Sequence, residues 1–588
     1  MNDRNNHLAS TPHWQRNLLA LALIAMTLAL TSCKLTNGSA GDNDVDPPEV
    51  QIGERLFKDT RFGHYYTTQS GGDVNASLGA GEPVVEQTLT TNPSNPLPGP
   101  MAGQAINCLA CHLVEQQVGV PGGGMRTYAD FAPRSPLPVR INVPDYPHFK
   151  TRNAEAFVDS VFHGNVDQLL HWDGEFSDMQ QLVYATLVSQ DFGWELSEHQ
   201  QAVHEIAEVI RKDNGEGSLA RQFGALPYRT VLTCSDQQIP AKYKLPRQYC
   251  IDVANASDEQ LTQAVSKLIA AYVDSLTFFQ DANGEYNGSP YDQFLIDNGL
   301  PRQPAAGQTP GQYADALLAA IKALPHPKFV NCCSQYNGAD HFAFHDQRPF
   351  SFGPQELHGL IIFLTHPDGP VITPNEAAQG GIGNCAACHA PPEFIDHRIH
   401  NTGVAQFEYD KLHGDGSFMM LAIPSLSQRE ADPDAYLPAT PQHPNAKEVF
   451  RSIPSASDPQ KTDLGVWNIF ANPDYASRQE SLRKFLCAID NHGAFADCSE
   501  TDSQLLDRAV AVFTTRTLRD LGDSDPYMHD GQFNTLADVV KFYQQAGTLA
   551  RQGKLRNADP QMQNIALSDA DLADLAAFLS SLDEDYSN

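Results

Sequence analysis

Cys108-Leu109-Ala110-Cys111-His112 and Cys385-Ala386-Ala387-Cys388-His389 are the stretches on which the reading of this 588-residue chain turns. In each, two cysteines three positions apart lie on one face of a helical turn. Both thiols can there add to the vinyl groups of a haem, and the adjacent histidine falls under the iron as an axial ligand. Zinc, the rival for paired cysteines, wants a further Cys or His pair nearby, and neither motif has one at zinc-finger spacing. A thioredoxin-like redox pair wants a βαβ setting, which is absent. Two covalently bound haem c groups are therefore expected, one on Cys108, Cys111 and His112, the other on Cys385, Cys388 and His389.

Around the motifs, helical patterning dominates and strand-like alternation is scarce. Ser197 to Lys212 carries an apolar stripe of Val203, Ile206, Ala207 and Ile210. Ser257, with Gln260 three residues on, predicts a capping box opening a helix that runs through Leu261, Val265, Leu268, Ile269 and Tyr272 toward Phe279. Gln312 to Leu324, Gln355 to Leu364 and Ser568 to Leu582 are further helices. The chain is too long for one core. Hydrophobic residues at 41% and charged residues at 19% are ordinary for a globular protein. A formal charge of −32 argues against nucleic acid, which needs a basic footprint. It suits a basic protein partner, or simply a solvated acidic surface.

The first 33 residues read as an address. Arg4 and Arg16 precede an apolar run from Leu18 to Leu30, too short for an ordinary membrane span, and the run ends Leu30-Thr31-Ser32-Cys33. This resembles a bacterial lipobox, in which Cys33 is acylated and becomes the mature N-terminus. Residues 34–50 form a flexible tether, and no later segment is apolar enough to span a bilayer. The expected location is the periplasmic or cell-surface side, with membrane contact only through the lipid. Lys34 after the cysteine points to the outer membrane. Of 11 cysteines, six remain after Cys33 and the two motifs. An even remainder in an exported protein suggests disulfides. Cys234–Cys250 and Cys487–Cys498 are the natural local pairs, Cys332–Cys333 would be vicinal, and other pairings stay open.

Further blocks resemble the bacterial di-haem cytochrome c peroxidases and their relatives of the MauG type. These are Gly53-Glu54-Arg55-Leu56-Phe57-Lys58-Asp59, His171-Trp172-Asp173-Gly174, and Phe394-Ile395-Asp396 with His400-Asn401-Thr402-Gly403-Val404. The closest are Phe513-Thr514-Thr515-Arg516-Thr517-Leu518-Arg519-Asp520 and Pro526-Tyr527-Met528-His529-Asp530-Gly531. The resemblance implies a mainly α fold of two class I cytochrome c-like haem domains with long loops and insertions. The domains would be 51–353, peroxidatic, and 354–588, electron-transferring. Leu196 to Ala256 and Tyr409 to Glu500 look like insertions. Arg516 stands where the family usually has proline, and Asp520 where it has asparagine. The family's interhaem calcium would fall on Ser524, Pro526 and, by loose alignment, Asp159.

The resemblance makes the His112 haem the reactive one and the His389 haem the electron store. Trp172 would relay charge between them. O–O cleavage needs a distal acid/base, and the family's glutamate position falls on Asp191, with Glu195 close behind. The second haem's sixth ligand, fourteen residues after the histidine of His-Asp-Gly in the family, falls on Tyr543. The peroxidases have methionine there and MauG-like enzymes tyrosine; the competing reading makes His529 the ligand. Three functions are open. The first is a hydrogen peroxide-dependent peroxidase fed by a small redox protein. The second is a MauG-like oxidase acting on a protein or other organic substrate. The third is a non-catalytic di-haem electron carrier.

Overall fold

The computed structural model describes residues 46–78, 105–108, 111–112, 134, 137–138, 140, 149–158, 167–235, 238–331, 350–490, 498–521 and 524–584. Cys33, Asp159, Cys332 and Cys333 lie outside them. Among the described residues the fold is mainly helical, with four strands of two residues each. None of its helices is long and apolar enough to cross a membrane.

The helices form where local signals put them. Ser257 Oγ accepts from the Gln260 amide at 3.2 Å and Gln260 Oε1 accepts from the Ser257 amide at 2.9 Å, so the capping box starts Asp258–Asp274. The stripe of Val203, Ile206, Ala207 and Ile210 is buried on His199–Lys212. The remaining predicted helices run Pro310–Lys322, Pro354–Leu364 and Asp571–Ser580.

One packing device occurs twice. Pro48–Phe57 crosses Asp258–Asp274 at Gly53, where any Cβ would overlap the Leu268 carbonyl oxygen and crowd Tyr272. One turn on, Phe57 meets Tyr272 edge-on with ring centroids 5.0 Å apart. Pro354–Leu364 crosses Asp571–Ser580 at Gly359, where a Cβ would overlap the Asp574 carbonyl and crowd Phe578. Phe363, again one turn on, lies 5.1 Å from Phe578. Each haem motif thus follows a helix locked through a glycine to a later helix.

Among the described residues three large apolar cores result. The first contains Ile52, Leu56, Phe57, Leu268 and Tyr272 together with Ala202, Ile206, Tyr228 and Leu232, so the stretch 196–256 is fused into it. Arg55, fully buried, reaches Asp213 of that stretch at 2.8 Å. The second core joins Leu360, Phe363, Phe394 and Phe578 with Tyr291, Phe294, Tyr313 and Leu317, residues that precede Gly353. Buried Arg519 ties it at 2.9 Å to Asp292. The stretch 409–500 builds most of a third core around Phe418, Phe450, Trp467 and Leu482. Disulfides join Cys234 to Cys250 and Cys487 to Cys498.

Candidate functional site

Both Cys-x-x-Cys-His stretches close as one helical turn. The His112 amide donates to the Cys108 carbonyl at 2.9 Å, and that of His389 to Cys385 at 2.8 Å. None of the four motif cysteines is in a disulfide. Burial pushes the thiols of Cys108 and Cys385 up to about 12. Each histidine is oriented through one nitrogen. His112 Nδ1 donates to the Glu155 carbonyl at 2.8 Å, and His389 Nδ1 to the Phe394 carbonyl at 3.0 Å. Burial drives His112 down to about 4 and lowers His389, so both rings are neutral at neutral pH. A neutral imidazole with Nδ1–H tied to a carbonyl offers Nε2 to a metal. Two free thiols and such a ring on one turn, present twice, fit haem c.

Zinc fits less well. Near the second motif Cys388, Asp396 and His400 lie together. His400, however, spends both nitrogens on carboxylates, Asp559 at 2.7 Å and Asp396 at 2.8 Å.

Asp191 sits within electrostatic reach of Cys111 and His112. Burial raises its carboxyl, but Lys150 at 3.1 Å and the Ser189 hydroxyl at 2.8 Å outweigh that and hold it below the ordinary range. It is therefore an ionised acceptor at neutral pH. Glu195 is engaged elsewhere, capping the turn Leu196–Glu198.

Trp172 lies in a tight turn closed by a bridge between Leu170 and Phe176. His171 there adopts φ 63°, a conformation rare for residues other than glycine. Trp172 Nε1 donates to the Asn153 carbonyl at 3.0 Å, its carbonyl accepts from the Thr514 amide at 2.9 Å, and its ring faces His529 at 6.2 Å. Beneath it lies a charge network that the sequence did not disclose. Asp173, wholly buried, pairs with Arg152 at 2.7 Å and Arg451 at 3.2 Å. Arg152 also holds Asp463 at 2.5 Å, and Arg451 holds Glu175 at 2.6 Å. Glu175 takes further bonds from Tyr475 at 2.9 Å and His171 at 3.1 Å. Arg451, Asp463 and Tyr475 all belong to the stretch 409–500.

Asn153 is the other residue that sequence reading missed. Its side chain lies 2.5 Å from the Pro526 carbonyl, its amide donates to the His529 carbonyl at 2.7 Å, and its buried Oδ1 has no hydrogen-bond partner among the described residues. Asp159, the expected third calcium ligand, lies outside the described residues, and it is Asn153 that accompanies Pro526. The Ser524 hydroxyl donates to the Leu521 carbonyl at 3.3 Å.

Tyr543 lies on the helix Leu536–Arg551 and packs against the second core, with Cys388, Cys385 and His400 as electrostatic neighbours of its phenol. Burial, then the two thiols, raise that phenol. His529 is stacked on Phe513 at 3.7 Å, with Asp463, Arg152 and Arg134 as its charged neighbours. It belongs to the Trp172 cluster.

No family model matches the chain. Among curated proteins it is similar to the cytochrome-c peroxidase IdrP2 of Pseudomonas sp. (strain SCT), 27% identical over 224 residues, which are 37% of this chain and 42% of that protein. It is also similar to the methylamine utilization protein MauG of Methylophilus methylotrophus, 38% identical over 72 residues, 12% of this chain and 20% of that protein. The matched stretches thus cover less than half of these relatives' length. Among solved structures, the diheme peroxidase BthA of Burkholderia thailandensis E264 aligns over 92% of this chain and 86% of its own, with a TM-score of 0.40 and 15% identity. A MauG-like protein associated with microbial copper homeostasis aligns over 92% and 91%, with a TM-score of 0.39 and 16% identity.

Proposed function

The chain belongs to the di-haem cytochrome c peroxidase and MauG superfamily, and from that premise we propose that it is a hydrogen peroxide-dependent oxidoreductase carrying two covalent haem c groups. The observation that carries this reading is the duplicated site: free thiol pairs at Cys108/Cys111 and Cys385/Cys388, each beside a buried histidine whose Nδ1 is committed to a carbonyl. Two class I cytochrome c-like domains, 51–353 and 354–588, are part of the reading. The repeated glycine-locked helix crossings at Gly53 and Gly359 support them, with the helices of 290–322 reaching across to the second core. We further propose export with a lipid on Cys33.

Bound haem supplies a redox-active iron, able to meet peroxide where its outer face is open and to store charge where both faces are ligated. The chain's own residues divide the remaining work. His112 and His389 present Nε2 because their Nδ1 protons are occupied. Asp191, kept ionised by Lys150 and Ser189, takes a proton from peroxide at a carboxylate oxygen and can return it to the departing oxygen. Trp172, fixed through Nε1 to Asn153, would relay charge between the two haems. Tyr543 would hold the second haem from the other side, a reading supported by its electrostatic coupling to Cys388 and Cys385. A calcium ion bound by the Pro526 carbonyl, Asn153 and Ser524 would use hard oxygen donors. Its support is the unpartnered Asn153 Oδ1.

The electron donor would be a small redox protein. The Tyr543 geometry favours, as a second reading, a MauG-like oxidase acting on a protein or other organic substrate. The electron-carrier reading would leave both haems indifferent to peroxide. The test is haem staining of denatured protein, followed by spin-state spectroscopy of the native protein with and without peroxide. Two retained haems, one high-spin and peroxide-responsive and one low-spin, are expected. Fewer than two covalent haems would refute the reading, and two low-spin haems indifferent to peroxide would return the chain to electron carriage.

A further inference from the structure

Arg516 lies on the strand-side strap that follows Thr514, and its surroundings connect both candidate haem sites. Its guanidinium carbon lies 4.9 Å from the centre of the Trp172 ring, a cation–π distance. The same guanidinium pairs at 2.6 Å with the carboxylate of Glu155. The backbone carbonyl of Glu155 is the acceptor that orients His112. The Arg516 backbone, in turn, is an electrostatic neighbour of the His389 ring. The flanking residues hold the strap in place. The Thr515 amide donates to the Arg398 carbonyl at 2.8 Å, and the Thr517 hydroxyl to the Glu393 carbonyl at 2.8 Å. Both charged side chains are largely out of water, Arg516 at 21% and Glu155 at 14% exposure. Their fields are accordingly less screened than those of surface groups.

Resting on the di-haem reading above, we propose that Arg516 is a positioning residue shared by the two haem sites. It clamps the Trp172 indole between them and, with Glu155 as its counter-charge, sets the reduction potentials of both irons together. Oxidised haem iron carries one more positive charge than reduced iron, so a fixed cation nearby favours the reduced form and a fixed anion the oxidised form. Because Glu155 orients His112 through its backbone, replacing its side chain changes the charge and leaves that hydrogen bond in place. Proline at position 516 could offer neither the charge nor the stacking plane.

The experiment is spectroelectrochemical titration of the haem-loaded full chain in four variants. Arg516→Gln should lower both midpoint potentials, and Glu155→Gln should raise both. The double variant should return both toward the wild-type values. Arg516→Lys, which keeps the charge and loses the planar stack, should hold the potentials near wild type. Opposite shifts from the two single variants cannot come from a general loosening of the site, which would move both the same way. Shifts of the same sign, shifts confined to one haem, or no shift would overturn the proposal. If Arg516→Gln fails to fold, Glu155→Gln alone must still raise both potentials. Fewer than two haems in the wild-type chain would sink the di-haem reading and this proposal with it. Two haems with unmoved potentials would sink this proposal alone.

Discussion

Arg451→Met is the substitution that most directly tests whether the stretch 409–500 supports the Trp172 turn. Arg451 pairs with Asp173 at 3.2 Å and Glu175 at 2.6 Å, and is itself 18% exposed. Methionine keeps an apolar stem of similar reach, so the loss is chiefly of charge. Asp173, wholly buried, then has Arg152 alone, and Arg152 is shared with Asp463. Breaking a buried ion pair from one side costs about 3–5 kcal/mol. The slight exposure of Arg451 favours the lower end, about 3 kcal/mol. For a cooperative unit of 150–250 residues, at roughly 2–4 °C per kcal/mol, the melting midpoint should fall by about 6–12 °C at neutral pH. Acid should narrow that gap. Burial raises the Glu175 carboxyl, but Arg451 with His171 outweighs it and holds it well below the ordinary range. A depressed carboxyl contributes stability that is present above its unfolded value, about 4.3, and is lost as pH falls through the folded value. Wild type therefore has this contribution to lose on acidification, and Arg451→Met has much less. Calorimetric melts from neutral pH down past pH ~4 would measure both effects. An unchanged midpoint at neutral pH, or a deficit that stays constant into acid, would refute the reasoning.

Other substitutions separate the proposed roles. Tyr543→Phe should convert the second haem's low-spin ferric signal to another species while the first haem keeps its own; electron paramagnetic resonance reads both, and an unaltered second signal would remove Tyr543 as ligand. Trp172→Phe loses the 3.0 Å bond to the Asn153 carbonyl; both haems should stay bound while oxidation of the second after peroxide addition slows at least tenfold in stopped-flow traces, and unchanged traces would leave Trp172 as packing. Cys33→Ser should move the protein from the membrane fraction to the soluble fraction, since acylation at that residue is the proposed anchor; sedimentation as before would exclude the lipid.

What could be read from the sequence was local. The capping box at Ser257 and Gln260, the two disulfides and the two haem motifs are each decided within about twenty residues, by side chains whose spacing fixes their meeting. The surroundings of Trp172 are different. Asn153 reaches Pro526 across 373 positions, and Arg152 reaches Asp463 across 311. Only the packed fold brings such pairs together. Asp159, the expected calcium ligand, lies outside the described residues, while the fold brings Asn153 to the Pro526 carbonyl, a meeting no local spacing announces. Arg516 was visible as a departure, yet nothing near it in sequence pointed to Glu155. The stretch 409–500 had no counterpart to suggest a role, and its role emerges from Arg451, Asp463 and Tyr475, three polar residues with no common spacing.

The choice between Tyr543 and His529 as second-haem ligand turns on which cluster each ring joins. His529 is stacked on Phe513 and faces Trp172, and burial drives it down to about 3, so it is a neutral ring within a charged network. Its buried Nε2 has no hydrogen-bond partner among the described residues. The charged neighbours of that ring are Asp463, Arg152 and Arg134. Tyr543 has the opposite neighbours, both cysteines of the second motif and His400. The polar contacts of His400 run to Asp396 and Asp559, so it does not compete for an iron. A hard phenol oxygen there would stabilise ferric and higher states where a thioether would favour ferrous. The second site would then hold oxidising equivalents, which suits an enzyme that acts on a substrate after peroxide has been consumed. This is the physical content of the MauG-like reading, and it rests on the side chain at position 543.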